Sequence, residues 1–243
     1  MRLFFILSTI FMTFSFEAKA NLSDSYAVQR ILERYTETLG GLRSEAALSS
    51  LSIEGSQVQD GVSYQFLMRK KRPNSIRYRL TAGETSIVCG FNGRQGWQRT
   101  EVGAEVTIED LSTDQLSALS NEADFDSPLI RHLEKPWNQI SLVGNEQLGD
   151  TYVHVLEVNE FHKPFVRYYL DSRSGLVLKR VQIHPDGTFG LETQYRDYRD
   201  INGYQFAFEV ENRIGDQPLS LVRIETIDVN PGLLGLYFEK PNN

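Results

Sequence analysis

Cysteine is almost absent. Cys89 is the only one in 243 residues, so the chain can build neither an intramolecular disulfide nor a thiolate metal site. Histidine is scarce, and the four present, His132, His154, His162 and His184, are not spaced as metal ligands. His154, between Val153 and Val155, reads as a packed or hydrogen-bonded imidazole within a strand. Positive charge is in deficit, with 25 Lys and Arg against 32 Asp and Glu and a net charge of -7. The longest basic cluster is residues 69–72, which leaves little for a nucleic acid to hold.

Catalytic signatures are missing as well. There is no G-x-S-x-G elbow, phosphate loop, H-E-x-x-H or dinucleotide fingerprint. The carboxylates fall in turns and at helix starts, where they cap, and no acid/base pair emerges from their spacing. Cys89 lies beside Ile87 and Phe91 on an apolar strand face with no flanking cation to activate it. It is expected to be buried and silent. No enzyme activity, cofactor or metal is expected.

Long hydrophobic runs are limited to residues 3–16, fourteen uncharged positions after Arg2. That is short of the roughly 20 residues needed to span a bilayer. Ala18 and Ala20 stand at the -3 and -1 positions of a cleavage site after Ala20, so residues 1–20 read as a secretory signal peptide. The mature chain, 21–243, is expected to be exported, without a transmembrane segment, monomeric and a single domain.

Residues 24–39 carry Val28, Ile31, Leu32, Tyr35 and Leu39 at helical spacing, and Gly40-Gly41 supplies a left-handed end. A short second helix is expected at 44–49. From Leu51 the pattern changes to strands punctuated by Asp60-Gly61, Asn92-Gly93, Asp186-Gly187, Asn202-Gly203 and similar pairs. Eleven to thirteen antiparallel strands are expected. One helical island interrupts them: Ser112 to Gln115 is a capping box, followed by Leu116 and Leu119. Pro128 then opens a further helix with Leu129, Ile130 and Leu133.

In 64–72, Tyr64, Phe66, Met68, Lys70 and Arg72 share one face, and Gln65, Leu67, Arg69 and Lys71 the other. Ile76, Tyr78 and Leu80, then Ile87, Cys89 and Phe91, continue the apolar face. One face of the sheet therefore reads as apolar and the other as wet. Two outcomes remain open: the sheet curls and fills itself, or its concave face is left part-empty for an apolar ligand.

The stretch from Lys71 through Arg72, Pro73 and Asn74 to Tyr78 resembles a hairpin of the periplasmic outer-membrane lipoprotein carriers, the LolA-like family. Residues 86–93, running to Trp97, are similar to that family's strand, Asn-Gly turn and Trp. The closing Phe238-Glu239-Lys240-Pro241 fits too. The specific likeness covers about residues 51–110. Beyond it, Tyr168-Tyr169-Leu170-Asp171 and Asn202-Gly203-Tyr204 resemble the broader outer membrane lipoprotein-sorting group. The resemblance implies a mainly β fold, an incomplete, half-open antiparallel barrel of about eleven strands whose helices cover a concave apolar face. It implies a carrier that takes acyl chains of a lipoprotein, or another lipid, from an inner-membrane ABC transporter to an outer-membrane acceptor.

Under that resemblance the cavity would be lined by Tyr64, Phe66, Met68, Ile76, Tyr78, Leu80, Ile87, Phe91 and Trp97. Leu116, Leu119, Leu129 and Leu133 would lie on the lid helices, and Arg72 would latch the lid through its guanidinium donors. Arg69 and Lys71, on the other face, would tolerate alanine. A protein-binding or regulatory module of the cell envelope on the same fold is the alternative.

Overall fold

Tight turns set the architecture. Asp60-Gly61 (φ 50° and 76°) and Asn202-Gly203 (φ 57° and 86°) put two successive residues in the left-handed region, the backbone of two-residue hairpins that follow the strand twist. The computed structural model describes residues 22–40, 48–125, 129–130, 139–159, 165–184 and 186–241. The signal-peptide expectation, Leu133 and residues 44–47 of the expected second helix lie outside these. Residues 48 and 49 are not helical, and a strand begins at Ser50.

Helix α1 (Leu22–Thr38) comes first. Six strands follow: β1 (Ser50–Gln59), β2 (Val62–Lys71), β3 (Ser75–Ala82), β4 (Thr85–Phe91), β5 (Gly96–Val102) and β6 (Glu105–Asp110). Helix α2 (Thr113–Ala123) then opens on the capping box, Ser112 accepting from the Gln115 amide while the Gln115 side chain accepts from the Ser112 amide. Seven more strands complete the chain: β7 (Gln139–Leu148), β8 (Thr151–Asn159), β9 (Phe165–Asp171), β10 (Val177–Ile183), β11 (Phe189–Ile201), β12 (Tyr204–Ile214) and β13 (Gln217–Val229).

All thirteen strands form one antiparallel sheet, in the order β6-β5-β4-β3-β2-β1-β13-β12-β11-β10-β9-β8-β7. The count is at the top of the eleven to thirteen read from the turns and above the about eleven of the half-open barrel that the resemblance implies. The first and last strands meet at the centre, from Leu51↔Val229 to Gln59↔Ser220. The sheet is open: β6 and β7 are its edges, so it is not closed into a barrel.

Its concave face carries three of the four buried clusters. Val28, Leu32 and Tyr35 of α1 pack with Leu129 and Ile130 on Leu156, Tyr168 and Leu170. Leu116, Leu119 and Ala123 of α2 pack on Ile76, Phe91 and Met68. Between them, Phe125 and Leu48 cover Leu51, Ile53, Phe66 and Phe208.

The opposite face is not simply wet, which corrects the expectation. Val153, Val155, Tyr169 and Val181 form a buried cluster there. Farther along, a short 3₁₀ turn (Gly235–Phe238) folds back over β2–β5. Trp97 is on this face, 1% exposed, its indole N–H donating to the Phe238 carbonyl at 3.0 Å. Trp97 pairs with Gly90, whose parity is opposite to that of Cys89 and Phe91, so it cannot line a concave cavity. Arg69 and Lys71 are occupied here as well. Arg69 donates to the Tyr237 hydroxyl at 2.6 Å, and Lys71 to the Leu233 carbonyl. They are anchors for the C-terminal segment, not neutral surface positions.

The fit of Trp97 depends on Gly90. A Cβ added at Gly90 would stand 2.4 Å from Trp97 Cε2, and the buried, hydrogen-bonded indole has nowhere to retreat. Gly90→Ala is expected to destabilise the fold by about 1–3 kcal/mol, seen as a lower urea midpoint with an unchanged slope. An unaltered midpoint would show that the indole can shift.

Candidate functional site

The two helices cover different parts of the concave face. Helix α1 contacts β7, and α2 contacts β3 and β4. Between them lies a cavity of about 1130 Å³, walled by Tyr35 and Leu39 of the α1 end, Ser117, Asn121 and Glu122 of α2, and strands β8 to β13. This is slightly above the range of about 300–1,000 Å³ usual for small-molecule pockets.

One part of its wall is apolar, with Val177, Phe206, Val210, Leu39 and Phe125. Another is a polar band running across five strands. Register pairs Arg180 of β10 with Thr193, Thr193 with Asn212, Asn212 with Ser220 and Ser220 with Gln59, and all five line the cavity. Thr193 Oγ1 donates to Asn212 Oδ1 at 2.9 Å, and Asn212 Nδ2 donates to Ser220 Oγ at 3.0 Å. Alternate strand residues face one way, so one register level of a sheet becomes one level of the cavity.

Arg180 is the charge in that band. Among the described residues no carboxylate stands within ion-pair distance of it. The phenols of Tyr195 and then Tyr168, the latter through a side-chain hydrogen bond, hold its pKa above the ordinary guanidinium value against the opposing effect of burial. Glu122 acts on it only at longer range; that carboxylate is 3.8 Å from Lys70 Nζ.

Of the nine residues expected to line a cavity, Phe66, Met68, Tyr78 and Leu80 pack into the central cluster with Phe125. Ile76 and Phe91 lie under α2. Tyr64 and Ile87 are half-buried on the same concave face. With Trp97 on the other side, none of the nine lines this cavity; α2 and Phe125 pack on the apolar residues of β2–β4. Of the lid leucines, Leu116 and Leu119 seat α2, and Leu129 is fully buried beside α1.

Among the described residues, Arg72 reaches the end of the helical island by stacking. Its guanidinium lies 5.0 Å from the Phe125 ring centroid, while its Nε donates to the Leu48 carbonyl at 2.8 Å. The Asp124 carbonyl at the end of α2 accepts from Lys70 Nζ at 3.1 Å. Burial pushes the Lys70 ammonium below its usual pKa, and Glu122 and Asp124 push it back up. Cys89 is half-buried rather than buried, its Sγ 3.6 Å from Gln98 Oε1. Burial raises its pKa, which keeps it an unreactive thiol. His154 Nδ1 stands 2.6 Å from Asn145 Oδ1.

No family model matches the sequence, and no curated protein matches it either. Solved structures do match. An outer membrane lipoprotein-sorting assignment attaches to a domain from Vibrio parahaemolyticus that superposes with a TM-score of 0.62 at 11% identity, covering 88% of this chain and 97% of that one. A LolA superfamily protein from Nitrosomonas europaea gives 0.58 at 14% identity, covering 88% and 97%. The fold is LolA-like. A DUF1329 family protein from Desulfovibrio piger gives 0.60 at 12% identity, covering 87% of this chain and 97% of that one. At these identities the LolA-like likeness is one of fold. No helix of the described residues is long and apolar enough to cross a membrane.

The tyrosines around the cavity set a pH limit. Burial is the main cause holding Tyr195 and Tyr198 of the cavity wall, and neighbouring Tyr78, above the usual phenol value. A raised folded-state pKa contributes stability that is complete below the unfolded value near 10 and is lost as pH climbs past it. Phenolate absorbance of these groups should therefore appear together with loss of the β circular-dichroism signal above about pH 10. Titration of all 11 tyrosines near that pH with the β signal intact would contradict this.

Proposed function

We propose that this chain is a periplasmic carrier. It takes up the acyl chains of lipoproteins, or of another lipid, in the cavity between α1 and α2 and shuttles them towards the outer membrane. The cavity itself carries the reading: a large space on the concave side of a LolA-like sheet, with helices on two of its margins. Residues 1–20 direct export, and the mature chain, 21–243, works as a single-domain monomer. An inner-membrane ABC transporter supplies the cargo and an outer-membrane acceptor receives it. The cycle needs no cofactor and no covalent step.

The energetics suit transfer. Burying a methylene is worth about 0.8 kcal/mol, so a sixteen-carbon chain fully buried would gain on the order of 12 kcal/mol. A wall that is part polar withholds some of this, and a helix that swings away returns more of the chain to its acceptor. Native mass spectrometry of protein released gently from its own periplasm tests the reading. Co-purifying lipid or acylated protein supports it. Clean apoprotein that also fails to take up a fluorescent fatty acid would remove it.

Arg72 is proposed as the latch on the helical island, acting through Phe125. Its stacking is worth about 0.5–2 kcal/mol, so Arg72→Leu should shift the open state by roughly two- to thirtyfold. The variant should bind an apolar probe at least as well as wild type and pass it more slowly to acceptor vesicles. Wild-type transfer would end the latch role, and loss of binding would mark Arg72 as a structural or ligand-contact residue.

A further inference from the structure

A carrier of acyl chains needs only an apolar lining, yet a polar band crosses the wall of this cavity. The polar band of Gln59, Ser220, Asn212, Thr193 and Arg180 lies towards the rim formed by the hairpins at Asp60-Gly61, Gly215 and Gly187. Apolar wall lies on both sides of this band, Leu191, Leu219 and Val166 towards the rim and Val177, Phe206, Leu39 and Phe125 towards the other end of the strands, where Lys70, Glu122 and Gln205 also line the cavity. Thr193, Asn212 and Ser220 already satisfy one another in a chain of hydrogen bonds. Arg180 is different. It brings five fixed N–H donors and a permanent charge to a cavity wall where, among the described residues, no carboxylate forms an ion pair with it and the Tyr168 and Tyr195 phenols are its neighbours. The other cation on the wall, Lys70, has the Asp124 carbonyl and Glu122. A charge set into a concave, partly desolvated wall without a counter-ion is costly unless its occupant supplies one.

Resting on the carrier reading, we infer that the cavity selects an amphiphile with an anionic head. Its carboxylate or phosphate oxygens lie against Arg180, and its single long chain runs from the polar band towards Phe206 and Phe125. A guanidinium meets either oxyanion with two parallel N–H donors. The Tyr195 hydroxyl beside it offers a further donor to the same head. The chemistry on the wall is common to a fatty acid and a phosphate-headed lipid, and a free phosphate ion shares the head without the tail.

Displacement of a neutral fluorescent apolar probe separates these cases, using hexadecanoate, hexadecyl phosphate, hexadecanol and inorganic phosphate as competitors. Wild type should bind at least one of the two anionic amphiphiles tenfold or more tighter than hexadecanol. Inorganic phosphate should not displace the probe. Arg180→Gln should abolish the preference, weakening the anionic amphiphiles at least tenfold more than hexadecanol, with an unchanged β circular-dichroism spectrum showing that the variant is folded. Arg180→Lys should keep part of it, because an ammonium holds the charge but not the fork. Equal affinities for the alcohol and both anions in wild type would overturn the head-group inference and leave the carrier reading standing. An equal loss for all three ligands in Arg180→Gln would make Arg180 structural and overturn it too. Displacement by inorganic phosphate alone would replace the amphiphile with a free-anion site. A protein that takes up neither the probe nor any amphiphile would overturn the carrier reading and this inference together.

Discussion

The antiparallel ladder between β1 and β13 holds the molecule together. Without it the chain is two separate meanders, six strands from the first half and seven from the second, each with an unpaired central edge. The ladder runs from Leu51↔Val229 to Gln59↔Ser220. At its base the Asn230 carboxamide oxygen accepts from the Ser49 amide at 2.7 Å and from the Ser49 hydroxyl at 2.9 Å. The cavity depends on this seam, since Gln59 and Ser220 of the ladder are two of the five residues in its polar band. The connection between the meanders carries α2 over the first half of the concave face. Helix α1 settles on the second half, and the space between them is what remains.

The sequence discloses the order of elements well, because turn chemistry is local. Asp-Gly and Asn-Gly pairs need the left-handed backbone wherever they fall, and Ser112 with Gln115 caps a helix whatever packs on it. The concave face of β2–β4 was equally legible, from the alternation of Phe66, Met68, Ile76, Tyr78 and Phe91. The site was not. In β10 the apolar positions Val181 and Ile183 face the convex side, and the cavity side carries Arg180 and Gln182. A strand with apolar residues on the side away from the cavity misleads any reading that equates apolar with inward. In β8 both faces are apolar, Val153 and Val155 on one and Leu156 and Val158 on the other, so periodicity loses its direction there. Trp97 misled for a related reason: its motif neighbours are concave, but the residue pairs with Gly90 and faces the C-terminal turn.

The polar band is a property of register and so has no signature along the chain. Gln59, Arg180, Thr193, Asn212 and Ser220 are far apart in sequence and unremarkable singly. Only the pairing of five strands brings them to one level. A hydrogen-bonding band across the wall presents fixed donors and acceptors to the interior, which a uniformly greasy groove lacks.

An open sheet leaves two strands with bare backbone. The β6 edge carries Glu105, Glu109 and Asp110 within six residues, and the β7 edge is irregular between Leu142 and Gly144. Two copies meeting edge to edge along β6 would bring like charges against each other, and a bulged β7 offers no straight template for a foreign strand. An open sheet would otherwise invite a second chain to extend it, and these few residues make that growth unfavourable.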